Sequence, residues 1–300
     1  MLRPRLRIPR ATRIWRPAIS TRQIHSVPTL EHFDPNEGVP GLLSPQGFDI
    51  AWTQYMQYLM EGLNAATADK EYAELDTLSI LKATARDPSN ATLFNYASMA
   101  HNNALFFKNL ANLNMTRQGA GEGDSIGEDR IPSGLKHELV KQFSSIETLR
   151  REFLATAMGM FGPGFVWLVK NAQSQDLRIL VTYLAGTPYT AGHWRRQGVD
   201  MNSQGIKSQG TARDWFERTK AGAGADTGGK FLSQNQTGPG GTDVIPLLCL
   251  NTWEHVWLRD YGIGAGGVGG KREYIKRWWN VIDWNKVDGL ANLQKLPPKT

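Results

Sequence analysis

The sequence predicts an α+β protein in which an N-terminal α-helical hairpin precedes an α/β domain built on a three-stranded antiparallel sheet. Apolar residues recur at helical spacing through the first third of the chain. β-branched and aromatic runs replace that pattern in the second half. A stretch rich in glycine and acid, 119–131, joins the two halves, as a linker between a helical unit and a mixed one would.

The elements follow in order. Gly47 to Leu63 carries Phe48, Trp52, Tyr55, Met56, Leu59 and Leu63, one apolar stripe of a helix. Asp69 to Ala85 reads as a second helix, stopped near Asp87-Pro88, and Ala91 to Leu113 as a third. Residues 25–118 thus form the hairpin domain and 132–300 the second domain. Pro132 to Gly159 holds two short helical segments. Phe165 to Val169 and Leu177 to Tyr183 read as a strand hairpin, and Val244 to Leu250 as a third strand. Lys271 to Trp284 closes the chain as a helix burying Tyr274, Ile275, Trp278, Val281 and Ile282. Between the second and third strands lies an insertion, 188–241, with ten glycines from Gly198 to Gly241, too long for an ordinary connection.

Charge is distributed unevenly. The net charge is +6, yet seven of the 34 basic residues are arginines within 1–24, where no acid occurs; the 27 that remain face 28 acidic residues. An arginine-rich, acid-free leader has the composition of a mitochondrial presequence, although Pro4, Pro9 and Pro17 interrupt any long helix in it. A basic arm for nucleic acid is the other reading of the same residues. The near-neutral body lacks the charge of a protein that coats itself in phosphate. No apolar run is long enough to cross a membrane. The single cysteine, Cys249, permits no internal disulfide and reads as a small buried hydrophobe on a strand.

Two segments near the C-terminus carry a resemblance. Asn251-Thr-Trp-Glu-His-Val-Trp-Leu-Arg-Asp-Tyr261 and Tyr274-Ile-Lys-Arg-Trp-Trp-Asn-Val-Ile-Asp-Trp284 are similar to the C-terminal signature of the iron/manganese superoxide dismutases. His25-Ser-Val-Pro-Thr-Leu30, Leu63-Asn64, Phe94-Asn95, Asn102-Asn103, Gly162-Pro-Gly-Phe-Val-Trp-Leu168 and Ile245-Pro-Leu-Leu248 match further pieces of that family in order. The resemblance implies a metal held by three histidines and one aspartate. Position by position, those ligands fall on Ala51, Asn103, Asn251 and His255, so only the last histidine remains. A methyl group has no lone pair and an amide oxygen is a weak neutral donor, so the expectation is no metal, no cofactor and no catalytic residue. The tyrosine that gates the family's site falls on Leu59, and the glutamine that bonds its solvent on Phe161 or Met99. These apolar side chains are expected to refill the site with hydrocarbon.

The resemblance also implies a pairing surface, with Glu254 reaching a partner's histidine and with Tyr55, His255 and Leu258 beside it. Tyr55 and Leu258 stand where the family has histidine and tyrosine, which suits a non-identical partner. Presequence, fold signature and altered ligands together resemble the dismutase-like proteins of the fungal mitochondrial small ribosomal subunit. That resemblance implies a structural role in matrix translation, contact with other small-subunit proteins, a heterodimer with a second dismutase-like chain, and no membrane. Candidates for rRNA contact are Arg195, Arg196, Lys207 and Arg213 in the insertion and Lys271, Arg272, Lys276 and Arg277 on the last helix; solvated faces are the plain alternative. A residual dismutase and a ribosome-assembly factor are the competing functions. The other histidines, among them His25, His32 and His101, read as surface or capping residues, and no paired-carboxylate site, nucleophile elbow or phosphate loop is present.

Overall fold

The computed structural model describes residues 25–112 except 69 and 86, residues 130–189, and residues 244–292. The leader 1–24, most of the linker 119–131 and nearly all of the 188–241 insertion lie outside the described residues, and so do Arg195, Arg196, Lys207 and Arg213.

The first long helical rod is made of α1 (Pro45–Phe48), a π-helical stretch (Asp49–Gln54) and α2 (Tyr55–Thr67). Ser44 starts it by accepting a hydrogen bond from Gly47 N, with Pro45 fitting the first turn, where no N–H is needed. The helix expected over 69–85 exists only as α3 (Thr77–Thr84). Residues 70–75 form turns instead, with Ala73 N bonded to Lys70 O and Leu75 N to Tyr72 O. Lys-Glu-Tyr-Ala-Glu-Leu brings only Tyr72 partly against the core, whereas α3 sinks Ile80 and Leu81 against its neighbour. That neighbour is α4 (Ala91–Lys108), which ends five residues before the expected Leu113. α4 is buried on two faces because it packs against α2 and α3 on one side and the sheet on the other.

The second domain begins with α5 (Ser133–Phe143) and α6 (Ile146–Gly159), separated by Ser144 at φ 67 and by the capping hydroxyl of Ser145, which accepts from Thr148 N. The sheet is antiparallel in the order β2 (Leu177–Tyr183), β1 (Gly164–Asn171), β3 (Val244–Asn251). β1 is central and therefore buried from Gly164 through Lys170. A register shift between Leu168 and Val169 accommodates Pro246 in β3, where a proline breaks no inner ladder. Lys170, only 4% exposed, donates from Nζ to Ala291 O at the end of the last helix, so its charge meets a helix C-terminus.

After β3 come α7 (Glu254–Tyr261), α8 (Gly270–Asn280) and α9 (Trp284–Ala291). The single helix expected over 271–284 is broken at Val281 and Ile282. Their backbone is diverted to the end of α4: Ala111 N donates to Val281 O at 2.8 Å and Asp283 N to Asn109 O at 2.8 Å. Asp283 then caps α9 through Lys286 N. Phe153 of α6 stacks on Trp278 at 5.2 Å, and Trp279 meets Trp284 edge-on at 5.4 Å, fixing the three helices together.

Asn64 ties down the first described residue, and Asp260 clasps the two halves together. Asn64 donates to His25 O (2.8 Å) and accepts from His25 N (2.9 Å). Asp260 of α7 accepts from Ser44 N at 2.8 Å and Ser44 Oγ at 2.6 Å. Asp260→Ala removes both bonds to the start of α1 and is expected to lower stability by about 1–2 kcal/mol, read as a shift in the denaturant midpoint at constant slope.

Candidate functional site

The structure brings Ala51, Asn103 and Asn251 into direct contact at the centre of the molecule, each with 0% exposure. Ala51 comes from the π-helical stretch of the first rod, Asn103 from the middle of α4 and Asn251 from the end of β3. Asn103 Nδ2 donates to Ala51 O at 3.1 Å, and Asn251 Nδ2 donates to Asn103 Oδ1 at 3.0 Å. Asn251 Oδ1 accepts from Trp253 N at 2.9 Å, where the chain turns into α7. The two ends fix both amide orientations, since a backbone N–H must face an oxygen and a backbone carbonyl must face an NH2. A side-chain donor reaching into a helical ladder is a common companion of a wider helical turn, which fits the π-helical geometry around Ala51. Tyr274 Oη donates to Asn251 O at 2.8 Å, so α8 is tied to the same point.

His255 lies in the first turn of α7, with its ring 3.9 Å from that of Tyr55 and 5.8 Å from that of Trp253. Burial lowers its pKa to about 4, so the imidazole is neutral at pH 7. His255 Nε2 and Trp253 Nε1 are both buried without a hydrogen-bond partner among the described residues. Burial holds the Tyr55 hydroxyl above its ordinary range, with Tyr58 adding to the effect. Glu254 and Leu258 face outward, Leu258 at 41% exposure.

Of the three side chains expected to refill the site, two lie in the interior and one does not. Leu59 and Met99 are buried at 3% and 5% exposure, but Phe161 is 97% exposed. The turn carrying it projects the ring away from the interior. Two histidines expected at the surface are packed instead: His25 is buried, and His101 is bonded to Tyr189 Oη at 2.9 Å, with its pKa lowered to about 4 by burial first and by Lys108 second. Nothing in the sequence marks Phe161 or the bare ring nitrogens of Trp253 and His255, because Phe and Trp in such contexts read as core.

The basic candidates on α8 divide. Lys271 Nζ donates to Met160 O at 3.3 Å, and Arg277 Nε pairs with Glu273 Oε1 at 3.0 Å. Arg272 and Lys276 project from the outer face of the helix. Among the described residues no three His, Cys, Asp or Glu side chains converge as a metal cluster.

The model of the iron/manganese superoxide dismutase C-terminal domain matches residues 132–202 and 200–290. The iron superoxide dismutase of Campylobacter jejuni is 32% identical over 245 residues, covering 82% of this chain and 80% of that enzyme. The chain belongs to the iron/manganese superoxide dismutase family. Within reach of this family lie two proteins of Schizosaccharomyces pombe that are not named as dismutases. Small ribosomal subunit protein mS43 is 25% identical over 264 residues, 88% of this chain and 83% of the relative. Small ribosomal subunit protein mS42 is 27% identical over 209 residues, 70% of each.

Two expectations follow from the site. Asn251→Leu strands Asn103 Oδ1 and Trp253 N in the interior and is expected to cost about 1–3 kcal/mol; because both amides belong to one chain of bonds, the Asn103→Leu, Asn251→Leu pair should cost less than the sum of the single changes in a double-mutant cycle. The second concerns acid. His101 and His255 have folded pKa values of about 4 against 6.5 unfolded. The unfolded chain therefore takes up protons that the fold refuses between these values. Stability is complete above pH 6.5 and is lost as pH falls towards 4, by at most about 3 kcal/mol per histidine at roughly 1.4 kcal/mol per pH unit. Denaturant midpoints from pH 7 to 5 should fall in the wild type and fall less in His101→Gln and His255→Gln.

Proposed function

We propose that this protein is a structural component of the mitochondrial small ribosomal subunit, built on the superoxide dismutase fold and carrying no catalytic metal. The observation that carries this reading is the amide chain from Trp253 N through Asn251 and Asn103 to Ala51 O. At the four positions that the family resemblance assigns to metal ligands stand one methyl group, two carboxamides and one imidazole. Both carboxamide oxygens are already accepting hydrogen bonds, and Asn103 Nδ2 is held by a carbonyl. A transition-metal ion needs several free lone pairs converging at about 2 Å, so the residues present do not fit iron or manganese. The two carboxamides satisfy each other and the backbone instead, which leaves the His255 imidazole as the one donor of that set, too few to hold an ion.

The names of the two fission-yeast relatives support the ribosomal part of the reading, and the arginine-rich leader supports import to the matrix. Two such relatives in one organism support pairing with a second, unlike dismutase-fold chain through the face that holds Tyr55, Glu254, His255 and Leu258. Contact with rRNA would fall to Arg272 and Lys276 on α8, joined by the basic residues of the insertion.

The similarity to iron superoxide dismutases favours a competing reading as an active or residual enzyme. One preparation separates the readings. Tagged full-length protein from mitochondria should co-sediment with the small subunit through high salt and contain far less than one iron or manganese atom per chain by elemental analysis. Stoichiometric metal with dismutase activity would overturn the proposal. Release by salt from an otherwise intact subunit would point to an assembly factor.

A further inference from the structure

We propose that the groove between the N-terminal arm and the first helical rod takes an extended, lysine- and arginine-rich segment of a neighbouring protein, laid along the arm as an added strand. Neither the pairing nor the ribosomal placement is needed for this to hold. The arm, residues 25–35, runs beside the rod, and an open groove of about 510 Å³ separates them. Buried Phe33, Trp52 and Met60 give it an apolar floor, and exposed Gln57 and Glu61 form its far rim. Gln57 and Glu61 lie roughly half a turn around α2 from Tyr55, so the groove is turned away from the proposed pairing face.

The backbone of the arm speaks for an extended occupant. Residues 26–30 belong to no helix or sheet. Among the described residues, the N–H groups of Ser26, Val27 and Thr29 and the carbonyls from Ser26 to Thr29 have no hydrogen-bond partner. Water satisfies such groups on many loops, but beside an apolar floor they form the open edge that an added strand needs. Charge decides the chemistry of that strand. From His25 to Ala68 the sequence holds five carboxylates and no lysine or arginine. Glu31, Asp34 and Glu61 are exposed and join no ion pair among the described residues. Lys286 approaches the arm at His32, 3.4 Å away, and is itself paired with Asp283 at 3.5 Å. These carboxylates repel a phosphate backbone and attract a basic chain. A further observation points to a ligand. His25 stands in the groove wall at 9% exposure, and its Nε2 is buried without a hydrogen-bond partner among the described residues. A strand of alternating basic and apolar residues would set its apolar side chains on the floor and its cations towards Glu31 and Glu61.

The test uses the full chain as recovered from mitochondria and two fluorescent peptides, one repeating Lys-Leu-Arg-Pro and one repeating Glu-Leu-Asp-Pro, followed by anisotropy. The first should bind, several-fold more weakly as salt is raised, and the second should not. Glu61→Lys should weaken binding by about tenfold, whereas Glu147→Lys, an exposed acid on α6, should not change it. Thr29→Pro removes one open N–H and should weaken binding, while Thr29→Ala should bind as the wild type does; melting temperatures of all four variants should stay at the wild-type value, since these side chains are exposed. No binding of the basic peptide, or an equal loss in Glu147→Lys, would overturn the groove. Equal affinity in Thr29→Pro and Thr29→Ala would overturn the added strand. A photo-crosslinking residue at position 57, activated in intact mitochondria and read by mass spectrometry, should join a lysine- and arginine-rich segment of another protein. Crosslinks to RNA, to a second copy of this chain or to the chain's own leader would overturn the occupant.

Discussion

Three buried backbone and side-chain groups from distant parts of the chain must find hydrogen-bond partners at one point, and the two asparagine amides supply them. Asn251 and Asn103 pass a line of donors and acceptors from the start of α7 to the first helical rod. Because an unpaired polar group in the interior costs as much as a good contact contributes, this line fixes the distance and rotation of the hairpin against the sheet. Tyr274 attaches α8 to the same residue from the other side. The hydrophobic core supplies the bulk of the driving force, but it is non-directional; the amides give it a single register.

On the proposed reading, the same line is how a dismutase fold would stand without an ion. A metal centre joins its ligands through shared coordination, and removing the ion leaves polar groups and empty volume. Here each amide is the partner of the next, and no charged group is needed to join them. The substitution of amides for ionisable ligands also removes charge from the interior, and the one imidazole left nearby is kept neutral by burial. Little of the family's chemistry survives in such a centre, while the architecture that surrounded it persists. A protein selected for shape and surface can tolerate that exchange.

Outward-facing features tell a complementary story. Lys271 and Arg277 are engaged within the molecule, while Phe161, Leu258, Glu254, Arg272 and Lys276 are presented to solvent.

Much of this was written in the linear pattern. Period 3.6 in the first third and the β-branched and aromatic runs around Trp167 and Leu180 determined the α+β class and the hairpin of the first two strands, because each depends on neighbours along the chain. Boundaries that depend on partners were decided only in three dimensions. α8 stops at Asn280, where the segment after α4 takes the backbone of Val281, and the stretch before Thr77 forms turns that bring little besides Tyr72 against the core. The inward place of His101 and the outward place of Phe161 belong to the same class. Sequence fixes what a side chain is able to bond or bury; only the packed chain determines which groups, more than a hundred residues away, arrive to satisfy it.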